Sequence, residues 1–204
     1  MAKAKMKKKA TSIDMTAMCD VAFLLLTFFI LTATAKQPEP LTVDTPNSTV
    51  QIKLPESDLA TLTLGKGKVF FGVTGKDVRI KTLELMGIKY GIAFSPEERR
   101  RFSLIDGFGV PMSKLKSLIA LDGAQRNEKD LQEGIPKDSL DNQLKEWIYN
   151  ARIATRDIAD KDLKVAIKGD AKQEYPQIKR IIDILQDQDI NQFNLVTGLR
   201  SKDF

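Results

Sequence analysis

The feature that most limits what this chain can fold into is an apolar stretch, Ala17–Ala35, near its start. A helix rises about 1.5 Å per residue, so this stretch spans roughly 28 Å, close to the hydrocarbon thickness of a bilayer. Its leucine, isoleucine, valine and phenylalanine side chains each favour insertion by about 0.3–0.6 kcal/mol. Residues 13–35 are therefore predicted to form a transmembrane helix, and the lipid bilayer is the first predicted partner.

One charged residue, Asp20, interrupts this apolar stretch. A carboxylate near the middle of a membrane helix costs roughly 2.5–3.5 kcal/mol, and acids at such positions commonly mark an ion pathway. Three threonines fall near the same helix face as this acid: Thr16, Thr27 and Thr34. Such a polar face predicts packing against other membrane helices, because lipid offers a carboxylate no partner. The chemistry available to this carboxyl group is reversible protonation.

The same polar face has a simpler interpretation, which stays open at this point. Threonine hydroxyls can bond to carbonyl groups of their own helix. Asp20 would then be a capping residue close to the membrane surface. Asp14 has the residue type of a helix start, and it is predicted to be such a cap at the cytoplasmic edge.

Five lysines without an acid lie in the first ten residues: Lys3, Lys5, Lys7, Lys8 and Lys9. Without these five lysines, 27 of the 32 basic residues remain, and this number equals that of the 27 acidic residues. The positive-inside rule places a lysine-rich flank in the cytoplasm, so residues 1–12 are predicted to be a cytoplasmic tail. The charge balance and low aromatic content of the remainder argue against nucleic acid as a partner.

A cleaved signal peptide is the main alternative to a retained anchor. The lysine-rich start, the apolar core Val21–Leu31 and the triplet Ala33–Ala35 all fit such a leader. Against it, the polar lead-in is long, and Asp14 and Asp20 lie between the lysines and the apolar core. The pattern favours the retained anchor. With either interpretation, most of the chain is translocated.

Enzymatic chemistry has little support in this sequence. There is no histidine and one cysteine, Cys19, which leaves no zinc site, no histidine-based catalytic set and no disulfide framework. The run Gly65–Lys68 lacks the spacing of a phosphate-binding loop and predicts a turn. The chain is therefore predicted not to be an enzyme and to hold no cofactor or metal.

The residues Ile13–Val21, followed by the leucine and phenylalanine run, resemble the N-terminal anchor of the ExbD/TolR family. The resemblance implies a basic cytoplasmic tail, one membrane helix with an essential aspartate, and a small periplasmic domain. Asp20 falls on the aspartate that carries protons in that family. The lead-in departs from the family at Ala17, where proline is common, and at Asp14, where asparagine is frequent.

Residues 36–58 contain four prolines and predict an extended linker. Within this linker, the apolar residues alternate like a short strand: Val50, Ile52 and Leu54, followed by Pro55. The segment resembles a family stretch that is implicated in switching and pairing. The alternative is a passive tether.

Residues 59–204 predict a small α+β domain, a mixed sheet with helices packed on it. Two strands around Gly65–Gly67 predict a hairpin. Ser95–Glu98 predicts a helix start, and a second helix follows Pro111. The remaining predicted elements are a helix at Ser139–Asp157, a strand at Leu163–Ile167, a helix from Pro176 and a strand at Phe193–Leu195. Residues 74–107 are ambiguous.

The hairpin and the closing run Leu163–Gly198 are similar to the periplasmic domain of the ExbD/TolR family. Residues near 73–106 and 123–160 are extra by this comparison, so the chain resembles a long, ExbD-like variant.

The resemblance implies a proton-conducting, force-transducing subunit of an ExbB/ExbD-type inner-membrane motor. It further implies a homodimer inside a ring of a polytopic ExbB-like partner. A TonB-like energy transducer would pass the work to outer-membrane transport. Two alternatives stay open: a TolR-like subunit for envelope integrity, and a passive membrane-anchored periplasmic scaffold. A flagellar-stator-like protein also has an anchor aspartate, but no large peptidoglycan-binding domain of that type is evident.

Overall fold

The computed structural model describes residues 15–33, 41, 43–45, 47–48, 55, 57–128, 131–138, 141–170, 174–196 and 198–199. The chain divides into two compact units, one ending at Lys36 and the other beginning at Gln37. The first unit contains one apolar helix, α1 (Met15–Thr32). The second contains a small mixed sheet with helices. The predicted fold class, an apolar helix plus an α+β domain, is confirmed.

The strands of the second unit are β1 (Asn47–Ser48), β2 (Leu59–Gly65), β3 (Lys68–Val73), β4 (Lys164–Gly169), β5 (Phe193–Val196) and β6 (Gly198–Leu199). Four of them form a sheet in the order β3-β2-β4-β5, and β1 pairs separately with β6. The β2–β4 and β4–β5 pairs are parallel, which requires long connections between these strands. Helices occupy those connections.

The predicted hairpin is confirmed. Strands β2 and β3 are antiparallel, with Gly65 opposite Lys68 and a two-residue turn between them. Lys66 has a φ of 51° and Gly67 a φ of 77°. Positive φ at both central residues matches the right-handed twist of the strands, and glycine adopts it without steric cost.

The helices of the second unit are α2 (Lys76–Tyr90), α3 (Pro96–Phe102), α4 (Met112–Ala120), α5 (Gly123–Arg126), α6 (Gln143–Ala159) and α7 (Tyr175–Gln186). Helix α2 lies in the stretch that the sequence left ambiguous. The predicted start of α3 is confirmed: the Glu98 N–H donates to Ser95 Oγ at 3.1 Å, and the Ser95 N–H donates to the Glu98 carboxylate at 2.7 Å. Helix α6 begins later than predicted, because Asn142 Oδ1 caps it by accepting from the Lys145 N–H at 3.0 Å.

Four aromatic rings form the centre of the core: Phe71, Phe102, Phe108 and Trp147. The closest pair is Phe108 and Trp147, with ring centroids 4.8 Å apart and edge-to-face geometry. The Trp147 ring also lies 6.1 Å from Phe71 on β3 and 6.1 Å from Phe102 on α3. Phe102 and Trp147 belong to the segments that were expected to be extra. Those segments therefore share one core with the sheet.

The outer edge of β3 is closed by two later segments. Phe71 exchanges two backbone hydrogen bonds with Phe108, at 2.8 and 2.9 Å. The Ile135 N–H donates to the Val69 carbonyl at 2.9 Å. These bonds satisfy backbone groups that an edge strand would otherwise expose.

Replacing Phe108 with alanine is expected to lower the free energy of unfolding by about 3–5 kcal/mol, because it leaves a cavity among three aromatic rings. Urea unfolding of the detergent-solubilised chain measures this loss. The signal is the fluorescence of Trp147, the single tryptophan.

Tyr149→Ala is the matched control, because Tyr149 lies two residues further along α6 and is 52% exposed. Its effect is expected to stay within about 0.5 kcal/mol. Equal losses in the two variants would show that the aromatic cluster does not dominate the core.

Candidate functional site

The candidate site is the carboxyl group of Asp20 on α1. Helix α1 has 18 residues, and Asp20 is its one charged side chain. As the sixth residue, Asp20 lies about 5 Å along the axis from the midpoint of a helix about 27 Å long. The first turn of α1 holds no acid. Asp20 therefore lies too far along the helix to cap its free N–H groups, which belong to the first turn.

The surroundings of Asp20 are apolar and lack cover from the same chain. No residue of α1 is buried, and phenylalanine and leucine side chains next to the acid, such as Phe23 and Leu24, are more than half exposed. Among the described residues, α1 is the one helix long and apolar enough to cross a membrane. An apolar surface of this kind needs lipid or other helices around it.

The predicted polar face is only partly available to an outside partner. Thr27 Oγ1 donates to the Leu24 carbonyl at 2.9 Å, so this hydroxyl is satisfied by its own helix. Thr16 lies in the first turn of α1, whereas Thr34 lies outside the described residues. The Asp20 carboxyl has no bond to another described residue. On this face, the carboxyl is the group that most needs a partner from another molecule.

The predicted linker strand falls mostly on residues that the structure does not describe. Val50, Ile52 and Leu54 lie outside the described residues, and Pro55 is half-buried and belongs to no strand. In the preceding stretch, Asn47 and Ser48 pair in parallel with Gly198 and Leu199. This part of the linker is thus held by the C-terminal end of the chain.

Several charged side chains of the second unit have structural roles. Arg79 donates to the carbonyls of Val73 and Ser103, at 2.6 and 2.9 Å, and to the Asp106 carboxylate at 2.7 Å. Arg79 thereby fixes the loop after α3 against the end of β3. Within the described ranges, no group of three acidic or cysteine side chains is placed to hold a metal ion.

Tyr90, at the end of α2, shows how burial and charge act together in this unit. Burial raises the pKa of its hydroxyl, and the nearby carboxylates of Asp141 and Glu146 raise it further. The hydroxyl therefore stays protonated at neutral pH and can donate to Asp141, which lies just before α6. This contact joins α2 to the start of α6.

A surface depression contains two cations that no sequence pattern marked. It is lined by Gly67, Lys137, Pro176, Gln177 and Arg180. These residues come from the β2–β3 turn, the segment before α6 and the first half of α7. Because the three segments are far apart in sequence, no local spacing could have predicted the depression.

Comparison with protein-family models matches residues 6–199 to the family described as "Biopolymer transport protein ExbD/TolR". The chain belongs to the ExbD/TolR family. The match covers α1 and the α+β unit together, including the segments near 73–106 and 123–160. Comparisons with curated proteins and with solved structures found no match.

Family membership fixes the general role of this ExbD/TolR protein. The family serves biopolymer transport through membrane complexes and is not a family of enzymes. One N-terminal apolar helix in a member of this family fits a single-pass membrane protein. The resemblance seen in the anchor sequence is thus confirmed over nearly the whole chain.

Helix α1 is expected to remain in the mature protein, because the family match begins at residue 6, ahead of this helix. The intact mass of a C-terminally tagged product should include the residues of α1. The product should also stay in the membrane fraction after alkaline extraction. A soluble product that begins at Lys36 would instead identify α1 as a cleaved signal peptide.

Proposed function

We propose that this protein is the proton-conducting, force-transducing subunit of an ExbB/ExbD-type inner-membrane motor. The motor uses the proton motive force to energise TonB-dependent outer-membrane transport. The observation that carries this proposal is the single carboxyl group of Asp20 in an otherwise apolar helix. Membership in the ExbD/TolR family supports it.

The protonation state of the Asp20 carboxyl group determines whether it is more stable in apolar or in polar surroundings. Loss of water disfavours the charged form, so a neutral carboxyl can face lipid or apolar side chains more easily than a carboxylate. A carboxylate instead needs a polar partner. The protonated and the charged form therefore favour different surfaces of the neighbouring helices. Each proton transfer would in this way be coupled to a movement of one helix relative to the others.

The membrane potential supplies the work. Each elementary charge that crosses the membrane yields about 2.3 kcal/mol per 100 mV. One helix with one carboxyl cannot enclose a proton path by itself. A second copy of the chain and a ring of a polytopic ExbB-like protein would supply the remaining helices and the two half-paths to the cytoplasm and the periplasm.

The proposed arrangement of the chain follows from its charges and its apolar span. Residues 1–12 would lie in the cytoplasm, residues 13–35 would cross the inner membrane, and residues 36–58 would be the linker. Residues 59–204 would form the periplasmic domain. This domain would transmit the motion to a TonB-like energy transducer. The chain would therefore act mechanically and would bind no transported substrate of its own.

Asp20→Asn is expected to leave assembly with the ExbB-like partner intact and to lower energised uptake at least about tenfold. The amide has nearly the same shape as the carboxyl group but cannot release or accept a proton at neutral pH. Uptake of a TonB-dependent substrate, in cells whose own copy is replaced by the variant, measures the loss. Co-purification from membranes measures assembly.

Two variants serve as controls for this substitution. Asp20→Glu keeps a carboxyl group and should retain part of the uptake. Asp14→Asn makes the same amide exchange six residues earlier in the sequence, at a position where the family frequently has asparagine, and should leave uptake unchanged. Normal uptake in Asp20→Asn would remove the proton role and favour a passive membrane-anchored scaffold.

A TolR-like role in envelope integrity is the second candidate, because the matched family unites ExbD and TolR. The two roles differ in the phenotype of cells that lack the protein. A TolR-like subunit would cause leakage of periplasmic proteins with normal nutrient uptake, whereas an ExbD-like subunit would cause failed uptake in cells with an intact envelope. The Asp20→Asn variant should reproduce the relevant phenotype in either case.

The linker strand is proposed to take part in switching. Val50→Ser together with Ile52→Ser should impair energised uptake, because serine removes the apolar face with which a strand would pair or pack. Gln51→Ser together with Lys53→Ser is the matched control, since these residues alternate with the first pair. Equal uptake in the two double variants would leave the linker as a tether only.

A further inference from the structure

The depression beside the β2–β3 turn is lined by two cationic side chains and no acid. It has a volume of about 310 Å³, and Lys137 and Arg180 are its charged residues. Gly67 and Pro176 supply walls without a polar side chain. Gln177, one turn before Arg180 on α7, supplies an amide.

No acid lines this depression, although Asp138 is close enough to Lys137 to attract its charge. The ammonium group of Lys137 donates to the Gly67 carbonyl at 3.2 Å, and neither cation forms an ion pair with a described residue. Burial lowers the pKa of the Lys137 ammonium, and the positive charge of Arg180 lowers it further, while Asp138 partly opposes both. Two like charges are thus held together at a cost that a bound anion would offset.

A neighbouring depression is lined by a different set of charges. It shares Lys137 and Arg180 but is also lined by three acids: Asp138, Asp183 and Asp187. Lys145, which lines it too, pairs with Asp187 at 3.4 Å. Positive and negative charges balance in that lining, whereas the lining of the first depression contains no acid.

The side chains of the first depression suit an anion that has several oxygen atoms. A guanidinium group can bind two oxygens at once, and an ammonium group adds a compact charge. The amide of Gln177 can donate a third hydrogen bond. Gly67 faces this amide, since a Cβ there would be in ordinary van der Waals contact with Gln177 Oε1, at 3.7 Å.

We propose that Lys137, Gln177 and Arg180 form a binding site for a phosphate group, either as free phosphate or as part of a small organic phosphate. The site belongs to the α+β unit and is separate from the proton role of Asp20. Binding would join the β2–β3 turn, the segment before α6 and the start of α7 through one ligand. It would therefore stabilise the packing of α7 beside the hairpin.

Isothermal titration of the full-length chain, in a maltoside detergent and a buffer without phosphate, tests the site. The two probes are inorganic phosphate and glycerol 3-phosphate. Arg180→Gln and Lys137→Gln are each expected to weaken binding at least about tenfold, because each removes a charge-assisted hydrogen bond. Circular dichroism checks that these exposed or half-buried substitutions leave the fold unchanged.

Lys145→Gln is the matched control, because it removes one positive charge from the neighbouring depression and should change affinity by less than about twofold at physiological salt. Equal binding of both probes means that the phosphate group suffices, and tighter binding of the ester identifies an organic phosphate. Absence of saturable binding, or equal weakening in all three variants, would overturn the proposal. Asp20→Asn should bind phosphate as the parent chain does, so this result is independent of the motor.

Discussion

A carboxyl group inside an apolar helix constrains everything else that this chain can do. Asp20 cannot cap its own helix from the sixth position, and no described residue of the chain pairs with it. Lipid cannot solvate a carboxylate, so the helix needs other helices to be stable with Asp20 charged. A single-pass chain with such a residue is therefore incomplete alone. Membership in a family of membrane transport complexes agrees with that physical requirement.

The packing of the α+β unit is compatible with the proposed transmission of force. Its hairpin, α3 and α6 meet at one cluster of four aromatic rings, and backbone bonds from Phe108 and Ile135 close the outer edge of β3. A close-packed interior resists deformation, because displacing one ring requires movement of its neighbours. The segments near 73–106 and 123–160 supply much of this packing. A load applied to the sheet would therefore reach those segments as well.

The features that could be predicted from sequence are those with local physical causes. Helix α1 follows from length and apolar content, the hairpin from its glycine turn, and the start of α3 from a capping box. Helix α2 stayed ambiguous because it contains Gly87, and glycine is a poor helix former. The fold explains this glycine: a Cβ at Gly87 would lie 2.6 Å from the Ile92 carbonyl oxygen. Contacts between distant segments, such as Lys137 with Gly67, leave no such local pattern.

The charged groups of the two units differ in how far water can stabilise their charges. Asp20 lies on an apolar helix that is suited to a membrane, so its charge costs free energy until another helix supplies a partner. Lys137 and Arg180 stay in contact with water, which screens their repulsion enough for the depression to form in the chain alone. In the proposed motor, the first site would couple proton transfer to work. The second is proposed only to bind an anion, whose charge would offset the repulsion that remains between the two cations.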